Sequence, residues 1–285
     1  MGLTLKYKNN LGTVLMQGGG QESPLRVTGI DGIGLVHREY NTAVYSGYDG
    51  QETLGSRTLA RSITVAVEVV DKAAVQVMRH AFDVLSQGGK LYIKDGNLER
   101  CITCNQVHVT ETNRILRGQI LTFAVQFICD SPFFEDAYDT VVPLYKRIKL
   151  LENPFALPTM FGEIILGGSI EIKGALSVEP IITIHYPTKL EGTESIVLTN
   201  GTIGKSVRLD YAPSADETIT IDIKNRKVTS SINGNIINYI SRDTFLGDFV
   251  LIKGINTISV NVGDITSDFT IECRYNNLYN EAVIA

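Results

Sequence analysis

The chain has no tryptophan and only four cysteines among its 285 residues. Without tryptophan, and with its 12 tyrosines scattered, it has no obvious stacking platform for sugars. Cysteines at 101, 104, 129 and 273 are too few and too unevenly placed to staple a chain this long, which fits synthesis in a reducing compartment with free thiols. Positive charge is also short: 26 lysines and arginines stand against 31 aspartates and glutamates, for a net charge of -5. A sequence-reading duplex binder needs a strong positive field, so that class is excluded. No apolar run approaches the roughly 20 residues of a membrane helix. Lysines at positions 6 and 8 interrupt the N-terminus before a signal peptide could develop, and Lys6 stands where a myristoylation motif wants serine or threonine. A soluble, cytosol-made chain is expected. What remains is 44% hydrophobic and 20% charged, the balance of a globular protein rather than a disordered one. The length suits two domains.

Most of the sequence reads as short strands. Ser62 to Val70 carries Ile63, Val65, Val67 and Val69 at period two, so one face is apolar. Leu91 to Lys94, Leu98 to Ile102, Val107 to Thr110 and Gln119 to Cys129 repeat the pattern, and Asp95-Gly96 marks a tight turn, so an antiparallel meander is expected. One segment has a helical period: from Asp71, which can cap it, Ala74, Val75, Met78, Ala81, Phe82 and Leu85 make one core-facing stripe that ends before Gly88-Gly89. The first half is thus a β-rich domain with one packed helix.

Between Asp130 and Gly168 the composition changes, with Pro132, Pro143, Pro154 and Pro158 and the basic run Lys146-Arg147-Ile148-Lys149, and an inter-domain connection is expected. From Ser169 about nine short strands follow at roughly ten-residue spacing, broken by turn pairs such as Asn200-Gly201 and Asn233-Gly234. A two-sheet sandwich or jelly roll is the expected second domain. The divisions are 1–140, a linker at 141–168, and 169–285.

Candidate chemistry is sparse. Cys101 and Cys104, with His108 and Cys129 downstream, allow a zinc site to be written, but residues three apart on a strand point to opposite faces and no second cysteine pair exists. Gly18-Gly19-Gly20 lacks the Gly-Lys-Ser/Thr that completes a phosphate loop. Gly167-Gly168-Ser169-Ile170-Glu171 lacks the closing glycine of a nucleophile elbow. Glu135, Asp136 and Asp139 lack calcium-loop spacing, and His37, His80, His108 and His185 stand beside no second ligand or nucleophile. The basic run at 146–149 reads as a solvated face or interface rim. No catalytic, cofactor or metal residue is assigned, and no cofactor or enzyme activity is expected.

The order of segments carries more. Gly29-Ile30-Asp31-Gly32, a strand ending near Tyr40, the stretch Arg57 to Val70 leading into the helix, and a long strand running into Asp130-Ser131-Pro132-Phe133-Phe134 together resemble the N-terminal domain of the siphophage distal tail protein family. In the second half, Pro180 to Ile184, Asn200-Gly201, and Phe245, Gly254, Ile255 and Asn256 before Thr257 to Val262 are similar to the galectin-like C-terminal domain of the same proteins. The resemblance implies a structural virion protein: a hexameric ring hub at the distal end of the tail, made in the host cytoplasm. It would join the tail tube protein to a tail-tip or baseplate protein and to an adhesin, without membrane insertion or sequence-specific nucleic-acid binding. An acidic chain suits a conduit, since a basic lumen would retain passing DNA. The alternative is a carbohydrate-binding sandwich that itself recognises the host surface; likeness of fold does not decide between them.

Overall fold

A computed structural model of the chain describes residues 3–18, 24–47, 49–69, 72–83, 85, 87–114, 121–149, 162–188, 194–262 and 269–282. It is mainly β and divides into two compact units, Met1–Ala137 with Tyr279–Ala285, and Tyr138–Leu278.

In the first unit the strands are β1 (Thr4–Asn9), β2 (Thr13–Gln17), β3 (Leu25–Asp31), β4 (Arg38–Ala43), β5 (Glu52–Thr58) and β6 (Arg61–Val69). After helix α1 (Lys72–Ala81) come β7 (Gly89–Asp95), β8 (Leu98–Cys104), β9 (Gln106–Arg114), β10 (Leu121–Cys129) and β11 (Phe134–Asp136). The alternation in β6 behaves as its sequence dictates: Ile63, Val65, Val67 and Val69 are buried while Ser62, Thr64 and Ala66 face outward. On α1, Ala74, Met78 and Ala81 form the buried stripe at spacings of four and three. The helix ends at Ala81, so Leu85 lies beyond it and is exposed rather than part of the stripe. Asp71, the expected cap, is outside the described residues. Tyr7, Phe82 and Phe127 meet in the core with ring centroids 5.1 to 6.1 Å apart.

The expected meander is only partly present. β7–β8 and β9–β10 are antiparallel neighbours, with Gly96 at φ 60° in the first hairpin's turn, but β6 lies between β3 and β10, and β7 pairs with β1. The reason lies at Asn105, the single residue between β8 and β9, which are seven places apart in the sheet order. Its backbone N–H donates to the Ile128 carbonyl at 2.8 Å and its side-chain oxygen accepts from the Asp130 N–H at 3.2 Å. The chain therefore turns a corner there, and the sheet folds back around its own apolar face. Gly32 is required by the same economy of space: its φ is 85°, and a Cβ there would come within 2.1 Å of the Ser62 carbonyl oxygen.

The second unit contains β12 (Thr140–Lys149), β13 (Gly162–Leu166), β14 (Gly168–Ile172), β15 (Ile181–Tyr186), β16 (Glu194–Asn200), β17 (Lys205–Tyr211) and β18 (Glu217–Asp222). It continues with β19 (Lys227–Ser230), β20 (Gly234–Asn235), β21 (Gly254–Val262) and β22 (Thr270–Tyr275), after which β23 (Leu278–Tyr279) leads the chain back to the edge of the first unit's sheet. One sheet runs β13-β12-β22-β15-β18-β19-β20 and the other β14-β21-β16-β17. A single apolar core that includes Ile182, Ile184, Ile196, Leu198, Ile219 and Ile258 lies between them.

Much of the segment expected as a linker, 141–168, is sheet: β12 pairs with β22 on one side and β13 on the other. Pro143 had argued against a strand, yet it sits at a register shift where a missing N–H is tolerated. Pro154 and Pro158 lie outside the described residues.

Candidate functional site

Four features stand out once the side chains are followed from their elements. The first is an arm. β4 and β5 form a two-stranded sheet of their own, tied internally by an Arg57–Glu39 ion pair at 2.6 Å. Leu35, Tyr40, Val44, Tyr45 and Leu54, on and beside this hairpin, are 52 to 77% exposed. An isolated hairpin is marginal in water and apolar side chains are rarely left together on it, so the arm has the character of a surface awaiting a partner.

The second is a pair of buried arginines. Arg61 opens the inward face of β6, in phase with Ile63, and is only 7% exposed. Its Nε donates to the Pro132 carbonyl at 2.6 Å, Nη1 to Gly32 and Gly34 at 2.6 and 2.8 Å, and Nη2 to Asn280 at 2.6 Å, with Phe134 stacked 4.6 Å from the guanidinium. Burial lowers its pKa from the usual arginine value. Arg100 donates to the Glu281 carbonyl at 2.6 Å and lies 3.7 Å over the Tyr279 ring, and the Ala282 N–H donates to Ile33. Two fixed forks thus hold the returning segment 279–282 against the first unit. The Asp130-Ser131-Pro132-Phe133-Phe134 stretch supplies both a carbonyl and an aromatic face to Arg61, which gives this sequence pattern a physical role.

The third is a carboxylate buried in the second unit. Glu217, fully buried on β18, accepts from the Tyr211 hydroxyl at 2.6 Å, the Ser214 N–H at 2.6 Å, and the hydroxyl of Ser230. Burial by itself would raise its pKa, but these donors outweigh burial and hold it below the usual carboxylate value. The sign follows: the contribution to stability is present above the unfolded pKa of about 4.3 and is lost as pH falls through the lower folded value. Glu217→Ala is expected to lower the second unit's stability by about 2 to 4 kcal/mol at pH 7, since it strands buried donors, and the deficit against wild type should narrow on acidification below pH 4. Denaturant titration at pH 7 and pH 3 checks this; a deficit independent of pH would contradict it. Asn200 and Asn256, also fully buried, meet at 3.3 Å and hold the chain at 250–256 through Val250, Ile252 and Gly254, which explains the glycine and asparagine at the start of β21.

The fourth is the cysteines. Cys101 and Cys104 do point apart: the Cys101 thiol reaches the Asp136 carbonyl at 3.4 Å, while Cys104 meets Cys129 with 3.4 Å between sulfurs. His108 is exposed on β9. No three His, Cys, Asp or Glu side chains gather as a metal site among the described residues.

The other sequence candidates are dispersed. Glu135 faces Lys90 at 3.9 Å, and Asp139 accepts from Asn276 at 3.1 Å. His37 and His80 are exposed, and His185 contacts Thr218 at 3.1 Å. Ser169 lies in β14 opposite Thr257, and Gly167 before it has φ 104°, where a Cβ would meet the Ile258 carbonyl oxygen at 2.3 Å. That corner joins two strands and is not a nucleophile elbow. Lys146 is an exposed residue of β12, the side chains of Arg147, Ile148 and Lys149 are outside the described set, and so are Gly19 and Gly20. Sequence reasoning missed Arg61, Arg100, Glu217 and the cysteine contact. Only Arg61 left a sequence signal, its place two residues before Ile63 on an alternating face.

Comparison with known proteins places this arrangement. Residues 173–279 match the family model of the siphovirus-type tail component, C-terminal domain. A search of curated protein sequences returns no match. Among solved structures, the Dit protein of phage SPP1, described as a paradigm of the hub adsorption apparatus in phages infecting Gram-positive bacteria, aligns with a TM-score of 0.65. That alignment has 13% identity and covers 97% of this chain and 98% of that one. A chain of the phage P2 baseplate in its activated conformation with Ca aligns at 0.55 with 14% identity, covering 97% and 98%. A chain of the same baseplate with Sr aligns at 0.52 with 13% identity, covering 95% and 97%. The likeness to these structures is one of fold and runs through both units, and the match to the siphovirus-type tail component model falls within the sandwich, on residues 173–279.

Proposed function

We propose that this chain forms a ring of six copies at the distal end of the tail. There it would join the tail tube protein on one side to a tail-tip or baseplate protein and an adhesin on the other, with no catalytic step. The first unit would build the ring, and the second would project as a docking domain. The observation that carries the reading is the arm. A two-stranded hairpin with five exposed apolar residues on or beside it suits a contact in which one copy's arm seats on the next copy. Such a contact uses two different surfaces and closes into a ring when the rotation between copies allows it. The net charge of -5 is compatible with a conduit through which DNA must pass without being held.

The solution mass across a concentration series tests this. Six copies of 31.3 kDa form a species of about 188 kDa. If the protein alone stays monomeric, the series is repeated with the tube protein added; a monomer under both conditions overturns the ring.

A second reading, glycan recognition by the sandwich, draws on one observation. Tyr239 is half exposed and stands edge-on to the buried Tyr211 at 4.9 Å, so its outer face is held rigidly toward solvent. Saccharide binding that disappears in Tyr239→Ala would favour it.

A further inference from the structure

Cys104 and Cys129 are both buried and their sulfurs are 3.4 Å apart, and neither belongs to the assembly surfaces described above. They come from the ends of β8 and β10, which are not neighbours in the sheet order. The backbone brings them together: the Asn105 N–H, one residue after Cys104, bonds to the carbonyl of Ile128, one residue before Cys129, at 2.8 Å. The Asn105 side chain then takes the Asp130 N–H at 3.2 Å, so the residues on either side of Cys129 are fixed against the same corner. Arg61 is the direct cross-strand partner of Cys129 on β6 and contributes a positive charge beside that sulfur. Contact with Cys104 and this charge favour the Cys129 thiolate, whereas Cys104 is pushed upward by its contact with Cys129 and by burial and keeps its proton.

We propose that Cys104 and Cys129 are a disulfide site, closed by a low-molecular-weight disulfide oxidant once the chain leaves a reducing compartment. The Cys129 thiolate attacks one sulfur of the oxidant, forming a mixed disulfide and expelling one small thiolate. That thiolate takes the proton of Cys104. The Cys104 sulfur then attacks Cys129 Sγ and expels the second small thiolate, which takes a proton from water. Two protein thiols are oxidised and one small disulfide is reduced to two thiols. The bond would tie the ends of β8 and β10 across the Asn105 corner and constrain the 25-residue separation between them. Cys101 and Cys273 are left out, since the Cys101 sulfur faces the Asp136 carbonyl and Cys273 belongs to the core of the other unit.

Full-length protein is equilibrated in an oxidising glutathione buffer in two ways, by long incubation of the native protein and by refolding from denaturant, which removes the barrier that burial sets to oxidant entry. The expected product is about 2 Da lighter and has two alkylatable thiols instead of four. In a tryptic digest, the peptide 101–114 is joined to the peptide 118–146, and fragmentation between Cys101 and Cys104 assigns the bond to Cys104. Thermal unfolding of the first unit should move up by about 5 °C or more, reversibly with reductant. A link found only after refolding supports the site and shows that burial limits its rate. Four free thiols under both regimes, or a bond to Cys101 or Cys273, would overturn it.

Discussion

Replacing Arg61 by methionine is expected to lower the stability of the first unit by about 3 to 5 kcal/mol while leaving the second unit unchanged. Methionine fills much of the volume, so the loss comes from hydrogen bonding. The guanidinium serves four carbonyls, those of Gly32, Gly34, Pro132 and Asn280, through five donors whose directions are fixed by one plane. With no fork, those carbonyls lose a charged donor in a place where water replaces it poorly, and Phe134 loses its cation. Lysine, with a compact ammonium and no planar fork, should recover only part of the loss. Hydrogen exchange read by mass spectrometry separates the units: peptides of β6 and β10 should lose protection by a hundredfold or more, and those of β15 and β18 should not. Unchanged exchange in β6 would mean that the arginine is a passenger rather than a clamp.

The same geometry says why the first unit depends on residues that follow the second. Asn280 and Glu281 offer backbone carbonyls rather than side chains, and Ala282 is buried, so the returning segment is held by its shape and main chain. Its side chains are therefore freer to change than its length. Tyr279 is the exception, because its ring underlies Arg100.

The two-sheet sandwich and the single helix could be read from the sequence, because both rest on local periodicity. Ile63 to Val69 alternate, Ala74, Met78 and Ala81 keep a helical spacing, and each side chain meets the burial that its pattern predicts. What could not be read depends on contacts remote in sequence. Asn105 has no unusual spacing, yet it turns β8 into β9 by binding backbone near residue 128. Pro143 suggested a connection because proline has no N–H, and only the register shift in β12 shows that none is needed there. Cys101 and Cys104 drew attention as a spaced pair, whereas the contact that forms is between Cys104 and Cys129. Glu217 carries no sequence signal, because what marks it is the convergence of Tyr211, Ser214 and Ser230 on its carboxylate. The arm was hidden for the opposite reason: Arg38–Ala43 and Glu52–Thr58 are exposed on both faces, so neither shows the apolar alternation that marks a strand against a core.

That two-sided exposure makes the arm the most direct test of assembly. Changing Tyr40 and Leu54 together to aspartate is expected to abolish the proposed ring species, shifting the mass from about 188 kDa to that of the 31.3 kDa monomer, without altering the unfolding of either unit. Both side chains are more than half exposed, so the substitutions remove no core contact within the chain. They would, however, bring two carboxylates into any apolar seat on a neighbouring copy, where each must be desolvated without a partner. Because every contact in the proposed six-copy ring is repeated, a loss of a few kcal/mol at one interface would act six times over, and the assembled state should vanish rather than weaken. Exchange of Arg57 for glutamate, which breaks only the exposed Arg57–Glu39 pair within the hairpin, should by contrast leave the ring largely intact. A ring that forms normally with both aspartates in place would move the contact to another surface, with the edge of β9 as the next strand to test, since it ends the sheet with nothing paired beyond it among the described residues.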